Sequence, residues 1–65
     1  MNCNLKEYWK VNKRAILRNI RKAENENTKR NEIISHINHS MNMGYIVQCS
    51  EFSVADIERD IYRSL

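Results

Sequence analysis

The sequence predicts an all-α protein, a single compact domain of three helices over residues 1–65. The chain has no proline and only one glycine, so few residues would interrupt long helices. Apolar residues recur at helical spacing in three separate segments. A chain of 65 residues has room for one domain with a thin core, which oligomerisation commonly reinforces.

The first helix is predicted over about residues 5–23, with Asn4 as its N-cap. Its apolar stripe, which Asn12 interrupts, consists of Leu5, Tyr8, Trp9, Ile16, Ile20 and Ala23. Val11 and Leu17 lie off this stripe. Seven of the eleven basic residues share the opposite side, namely Lys6, Lys10, Lys13, Arg14, Arg18, Arg21 and Lys22. The pattern is that of a basic amphipathic helix. Its apolar side is expected to be buried in the core, and its basic side is expected to meet a negatively charged partner.

The second helix is predicted over about residues 28–43, and Gly44 stands where a helix-ending glycine is expected. The third is predicted over about residues 53–65 and begins at a variant capping box of Ser53 and Asp56. Residues 45–52 fit both a short strand after Gly44 and a short helix, and the pattern leaves both open. The predicted core consists of Trp9, Ile16, Ile20, Ile33, Ile37, Met41, Ile57 and Ile61.

The net charge of +3 conceals an asymmetry between the two halves of the chain. Residues 1–30 carry nine basic and three acidic groups, whereas residues 31–65 carry two basic and five acidic groups. The basic half indicates an anionic partner, either nucleic acid or an acidic protein surface. We expect the seven cations to contact phosphates, with Tyr8 or Trp9 stacking on a base. The acidic half would also suit the basic half of a second copy, and we expect a homodimer.

The second half of the chain resembles the helix-turn-helix of small bacterial transcription regulators. The resemblance is carried by NEIISHI (31–37), by Gly44 and Ile46, and by FSVADIERDIYRSL (52–65). It implies a DNA-binding regulator in which Ser53 caps a recognition helix that Ile57 and Ile61 anchor to the core. The carboxylates of that helix depart from the pattern because they repel phosphate. The basic first helix is then the element expected to hold the DNA.

A second hypothesis is a small inhibitor or modulator of the phage or mobile-element type that binds a host protein. Acidic side chains of the third segment would imitate the charge of nucleic acid. The candidate contact residues are Glu51, Asp56, Glu58, Arg59, Asp60 and Arg63.

The sequence predicts no catalytic residues, no small-molecule substrate and no cofactor. It offers no nucleophile, base and orienting group in a recognisable pattern, and no glycine-rich phosphate loop. His36 and His39 are three residues apart, but Cys3 and Cys49 lack the paired spacing of zinc ligands, so no metal site is predicted. With no signal peptide and no apolar run of membrane-spanning length, we expect a cytoplasmic protein away from membranes, with both thiols reduced.

Overall fold

The computed structural model describes residues 3–65 and consists of three helices that pack against one another. They are α1 (Asn4–Lys22), α2 (Glu26–Asn42) and α3 (Val54–Ser64). The all-α prediction is confirmed, and the predicted helix ends agree with the observed ones within two residues. Residues 45–52 are neither a helix nor a strand, because in this segment Cys49 and Phe52 form only an isolated bridge.

The core lies where the three helices meet, and α1 contributes five of its nine buried residues. These nine are Leu5, Trp9, Ile16, Leu17, Ile20, Ile37, Val54, Ile57 and Ile61. Six of the eight predicted core residues are among them, while Ile33 and Met41 pack against the core but remain half-buried. Leu17 lies off the predicted stripe and is nevertheless buried, because α1 packs against both other helices and so buries a wider sector. Asn12 fits the stripe because its amide donates to the Tyr8 carbonyl oxygen at 2.8 Å.

Both ends of α2 follow from local residues. The side chain of Asn25 accepts a hydrogen bond from the Thr28 backbone N–H at 3.0 Å and so caps the first turn. At the other end, Gly44 adopts a φ of +83°, as the sequence predicts for a helix-ending glycine. Its N–H donates to Met41 and the next N–H, of Tyr45, donates to Ser40, which is the Schellman arrangement.

The segment after Gly44 crosses the start of α1 and satisfies its first backbone groups. Leu5 N–H donates to the Val47 carbonyl oxygen at 3.1 Å, and the Asn4 side chain accepts from the Val47 N–H. The prediction of Asn4 as an N-cap is therefore wrong, since Asn4 is the first helical residue and Cys3 precedes the helix. The pairing of Val47 with α1 explains why residues 45–52 form no regular element of their own.

A disulfide joins Cys3 to Cys49 and fastens this segment to the start of α1. The prediction of reduced thiols is wrong in this structure. Forty-six residues separate the two cysteines in sequence, and only the fold brings their Cα atoms to 5.3 Å. Disulfides are rare in cytosolic proteins, so the bond gives no support to the predicted cytoplasmic location.

The start of α3 is fixed by two side chains. The Asp56 carboxylate accepts from the Ser53 backbone N–H at 2.8 Å, which confirms the predicted capping box. Gln48 accepts from the Val54 backbone N–H at 3.4 Å. Further along α3, the exposed Tyr62 ring lies 4.4 Å from the Arg30 guanidinium of α2, a cation–π contact between the two helices.

Replacement of Gly44 by alanine is expected to lower the free energy of unfolding by about 1 kcal/mol. The added Cβ would meet no atom within 4 Å, so the loss would come from the left-handed backbone and not from a clash. Urea unfolding followed by circular dichroism measures the change. The exposed mid-helix substitution Asn38→Ala serves as the control and is expected to cost nothing. A Gly44→Ala protein as stable as the wild type would contradict this account of the α2 terminus.

Removal of the disulfide by the paired substitutions Cys3→Ser and Cys49→Ser is expected to cost about 4 kcal/mol, because the bond closes a long loop in the unfolded chain. Total stability for this chain length is about 3 to 10 kcal/mol, so the loss would remove a large part of it. Urea unfolding measures the loss, and titration of thiols in the denatured wild type checks the bond itself. Two free thiols in protein purified without reductant would show that the bond does not form.

Candidate functional site

The seven predicted contact cations lie on α1, and six of them are exposed, with Lys13 half-buried. The helical repeat places them on one side of α1, opposite most of its buried residues, although the buried Leu17 falls within the same sector. From Lys6 to Lys22 the row extends about 24 Å along the helix axis. Glu7 is exposed in the same stretch and is the only acidic residue of α1.

Two of the seven cations make contacts within the fold. The Lys13 ammonium lies 2.9 Å from a carboxylate oxygen of Asp60 on α3. The Arg21 guanidinium donates to the Ser64 carbonyl oxygen at 2.7 Å, which satisfies a carbonyl at the negative end of α3. Both contacts hold α3 against α1, and phosphate binding by these two side chains stays a prediction.

The other five cations have no ion pair among residues 3–65. We call them the unpaired cationic face, and they are Lys6, Lys10, Arg14, Arg18 and Lys22. Nothing within the described part of the chain neutralises their charge by direct contact. Together with the exposed Glu7, which the helical repeat places among them, they form a predominantly positive surface on a rigid helix, the arrangement that attracts polyanions.

Asp60 connects α3 to α1 through two neighbouring donors. Trp9 is 4% exposed, and its indole N–H donates to Asp60 Oδ2 at 2.7 Å. The Lys13 ammonium contacts the same oxygen. The hydrogen bond from Lys13, followed by that from Trp9, lowers the pKa of Asp60 below its ordinary value of 3.8. Sequence reasoning missed this junction because 51 residues separate Trp9 from Asp60.

The candidate protein-contact residues of the third segment divide into two groups. Asp56 accepts from the Ser53 N–H and contacts Arg59 at 3.1 Å, and Asp60 belongs to the junction with α1. The Ser53 backbone hydrogen bond is the main cause that lowers the pKa of Asp56. The remaining candidates are exposed, and they are Glu51, Glu58 and Arg63. Two of the four carboxylates proposed to imitate nucleic acid therefore already have partners inside the fold.

A groove of about 330 Å³ opens between α1 and the start of α3. Its lining combines aromatic rings and charged groups, and consists of Lys6, Trp9, Lys10, Lys13, Phe52 and Asp60. Phe52 is held in place because its backbone N–H and carbonyl both pair with Cys49 at 3.2 Å. The sequence showed Phe52 as a residue before a helix and gave no sign that it faces α1.

The residues considered for a metal site are not brought together. Cys3 and Cys49 are bonded to each other, and His36 and His39 are exposed on α2. Among residues 3–65, no three His, Cys, Asp or Glu side chains are grouped as metal ligands.

Over the same residues, no helix combines the length and apolar character needed to cross a bilayer.

Comparison with known proteins finds no matching family model, no matching curated protein and no matching solved structure. The helix-turn-helix resemblance therefore stays a prediction. In the structure, residues 43–53 connect α2 to α3, whereas the turn of that motif has three or four residues.

Acidification is expected to destabilise the fold through Asp60. Its pKa is lower in the folded than in the unfolded chain, so its contribution is complete above 3.8 and is lost as the pH falls through the folded-state pKa. Asp60→Asn should lower the free energy of unfolding at neutral pH by about 1 kcal/mol and reduce its decline in acid. Urea unfolding at several pH values, read by Trp9 fluorescence, measures both effects. The control Glu58→Gln, an exposed carboxylate on the same helix, should leave the acid decline unchanged.

Proposed function

We propose that this chain is a small non-enzymatic nucleic-acid-binding protein that regulates transcription and contacts phosphates through α1. The observation that carries the proposal is the unpaired cationic face. Five exposed cations of one sign project from a single helix, and no carboxylate of residues 3–65 pairs with them. A helix that served only solubility would be expected to balance the two signs more evenly than five exposed cations against the single exposed acid Glu7.

The length of the face suits a nucleic-acid backbone. The row of about 24 Å along α1 equals roughly seven base steps of 3.4 Å. Side chains four residues apart, such as Lys6 and Lys10 or Arg14 and Arg18, lie about 6 Å apart along the helix axis. Several phosphates of one strand can therefore meet a cation each while α1 remains rigid.

Two of the carboxylates proposed to contact a host protein already have partners inside the fold, and this favours nucleic acid as the partner. Asp56 and Asp60 are held by Ser53, Arg59, Lys13 and Trp9, so they contribute little to an acidic contact surface. Of the seven cations predicted on α1, by contrast, only Lys13 and Arg21 make contacts within the fold. Binding of a host protein through Glu51, Glu58 and Arg63 is the alternative proposal.

Location and assembly belong to the same proposal. A regulator of transcription acts in the cytoplasm of a bacterial cell, where thiol reductants act on accessible disulfides. Cys3 and Cys49 are both half-buried, which limits access to the bond. DNA binding is therefore to be measured on oxidised and reduced protein, with light scattering to test the predicted homodimer.

Binding to duplex DNA is expected to weaken steeply with salt. If five phosphates are neutralised, the slope of log K against log salt is about −4.5. Arg14→Gln and Arg18→Gln should each make the slope shallower by about 0.9. Fluorescence anisotropy of a labelled duplex at several salt concentrations measures the slope.

The matched control is Arg59→Gln, which also removes one positive charge. Arg59 lies on α3 and contacts Asp56, so its loss should leave the slope unchanged. Two results would refute phosphate binding by α1: no complex at low salt, or equal effects of Arg18→Gln and Arg59→Gln. Recovery of a stoichiometric host protein from nuclease-treated lysate, together with no complex with DNA, would favour the alternative.

A further inference from the structure

We propose that the groove between α1 and the start of α3 binds one nucleotide unit of an unpaired strand, with the base against Phe52 and the phosphate at Lys6 and Lys10. This inference rests on the proposed function and specifies it, because it assigns single-stranded nucleic acid as the preferred ligand. It also adds a site that phosphate contacts along α1 do not require.

The lining of the groove matches both parts of a nucleotide. Phe52 is half-buried and presents an aromatic surface, with Trp9 packed beneath the opening. Aromatic side chains of this kind stack on bases, whatever the base, because every base has a π-face. Lys6 and Lys10 stand at the rim, one helical turn apart on the same side of α1, where a single phosphate can meet both.

The charge of the groove is positive even though it contains a carboxylate. Three lysines and Asp60 leave a net charge of +2. Asp60 is already neutralised locally by Lys13 at 2.9 Å and by the Trp9 N–H at 2.7 Å. Lys6 and Lys10 belong to the unpaired cationic face, so the positive charge stands at the open side of the groove.

Size and rigidity restrict the ligand. A volume of about 330 Å³ lies near the lower end for small-molecule sites and suits one planar ring with an attached phosphate. A base inside a duplex is paired and stacked, so it cannot enter unless it leaves the helix. The walls are fixed before binding, by the Asp60 contacts on one side and the Cys49–Phe52 pairing on the other. A preformed site of this kind loses little entropy on binding.

Trp9 reports on the groove directly, since it is the single tryptophan of the chain. The probes are an oligonucleotide of about twelve residues, which covers one site, and the duplex of the same sequence. We expect the single strand to change the Trp9 emission and to bind more tightly than the duplex at equal salt. Phe52→Leu should weaken single-strand binding about tenfold and leave duplex binding unchanged.

Two matched controls separate the groove from the rest of the surface. Tyr62→Leu also removes an exposed aromatic ring, but on α3 outside the groove lining, and should leave single-strand binding unchanged. Lys10→Gln and Lys22→Gln each remove one cation of α1, and only Lys10 lines the groove. Both should weaken duplex binding equally, whereas Lys10→Gln should weaken single-strand binding several-fold more. Circular dichroism and the urea midpoint of each variant confirm that it is folded.

The possible results distinguish this inference from the function on which it rests. Equal binding of single strand and duplex, with no effect of Phe52→Leu, overturns the groove site and leaves phosphate binding by α1 intact. Binding of neither nucleic acid at low salt overturns the proposed function. In that case adenosine 5′-monophosphate is the remaining probe. A change in Trp9 emission that Phe52→Leu abolishes would support a nucleotide site, and no change would overturn it.

Discussion

The packing of α3 against α1 depends on the contacts of the Asp60 carboxylate, and the groove between the two elements depends on that packing. Asp60 accepts a hydrogen bond from the indole N–H of Trp9 and pairs with Lys13, and both partners lie on α1. The carboxylate therefore fixes how α3 lies against α1. These contacts therefore also fix the groove residues of α1, Trp9 and Lys13, relative to Asp60 of α3. One partner of the carboxylate is a neutral N–H and the other is a cation. The contacts of Asp60 therefore neutralise only one positive charge of α1, that of Lys13.

Few charged side chains form ion pairs inside the fold, and this determines which charges remain unpaired. Ion pairs within residues 3–65 involve Asp56 and Asp60, both on α3, and their partners are Arg59 and Lys13. Asp56 therefore stabilises the start of α3 and Asp60 its packing, while most cations of α1 remain unneutralised by direct contact. A short chain with a thin core has few charged residues, and here two acids of α3 contribute to stability, while the proposed function assigns most bases of α1 to recognition.

The helices could be predicted because their determinants are local. Apolar spacing located all three, Gly44 marked the end of α2, and Ser53 with Asp56 marked the start of α3. The site could be predicted only in part, because its remaining features depend on residues distant in sequence. Nothing near Lys13 or Arg21 indicates that α3 will contact them, and nothing near Phe52 indicates a groove. The disulfide and the role of Asn4 were mispredicted for the same reason, since both depend on the path of residues 45–49 across the start of α1.

The Cys3–Cys49 bond also divides the molecule into two parts that differ in how they can open. Residues 3–49 form a covalent ring that includes α1 and α2, while α3 lies outside the ring and is held by side-chain contacts alone. Partial unfolding should therefore begin with detachment of α3, whose amides would exchange with solvent before those of the ring. Asp60 would depart with it, whereas Phe52 stays paired with Cys49 of the ring and every cation of α1 would stay in place. The unpaired cationic face lies entirely within the ring and would therefore outlast the wall of the groove that α3 supplies.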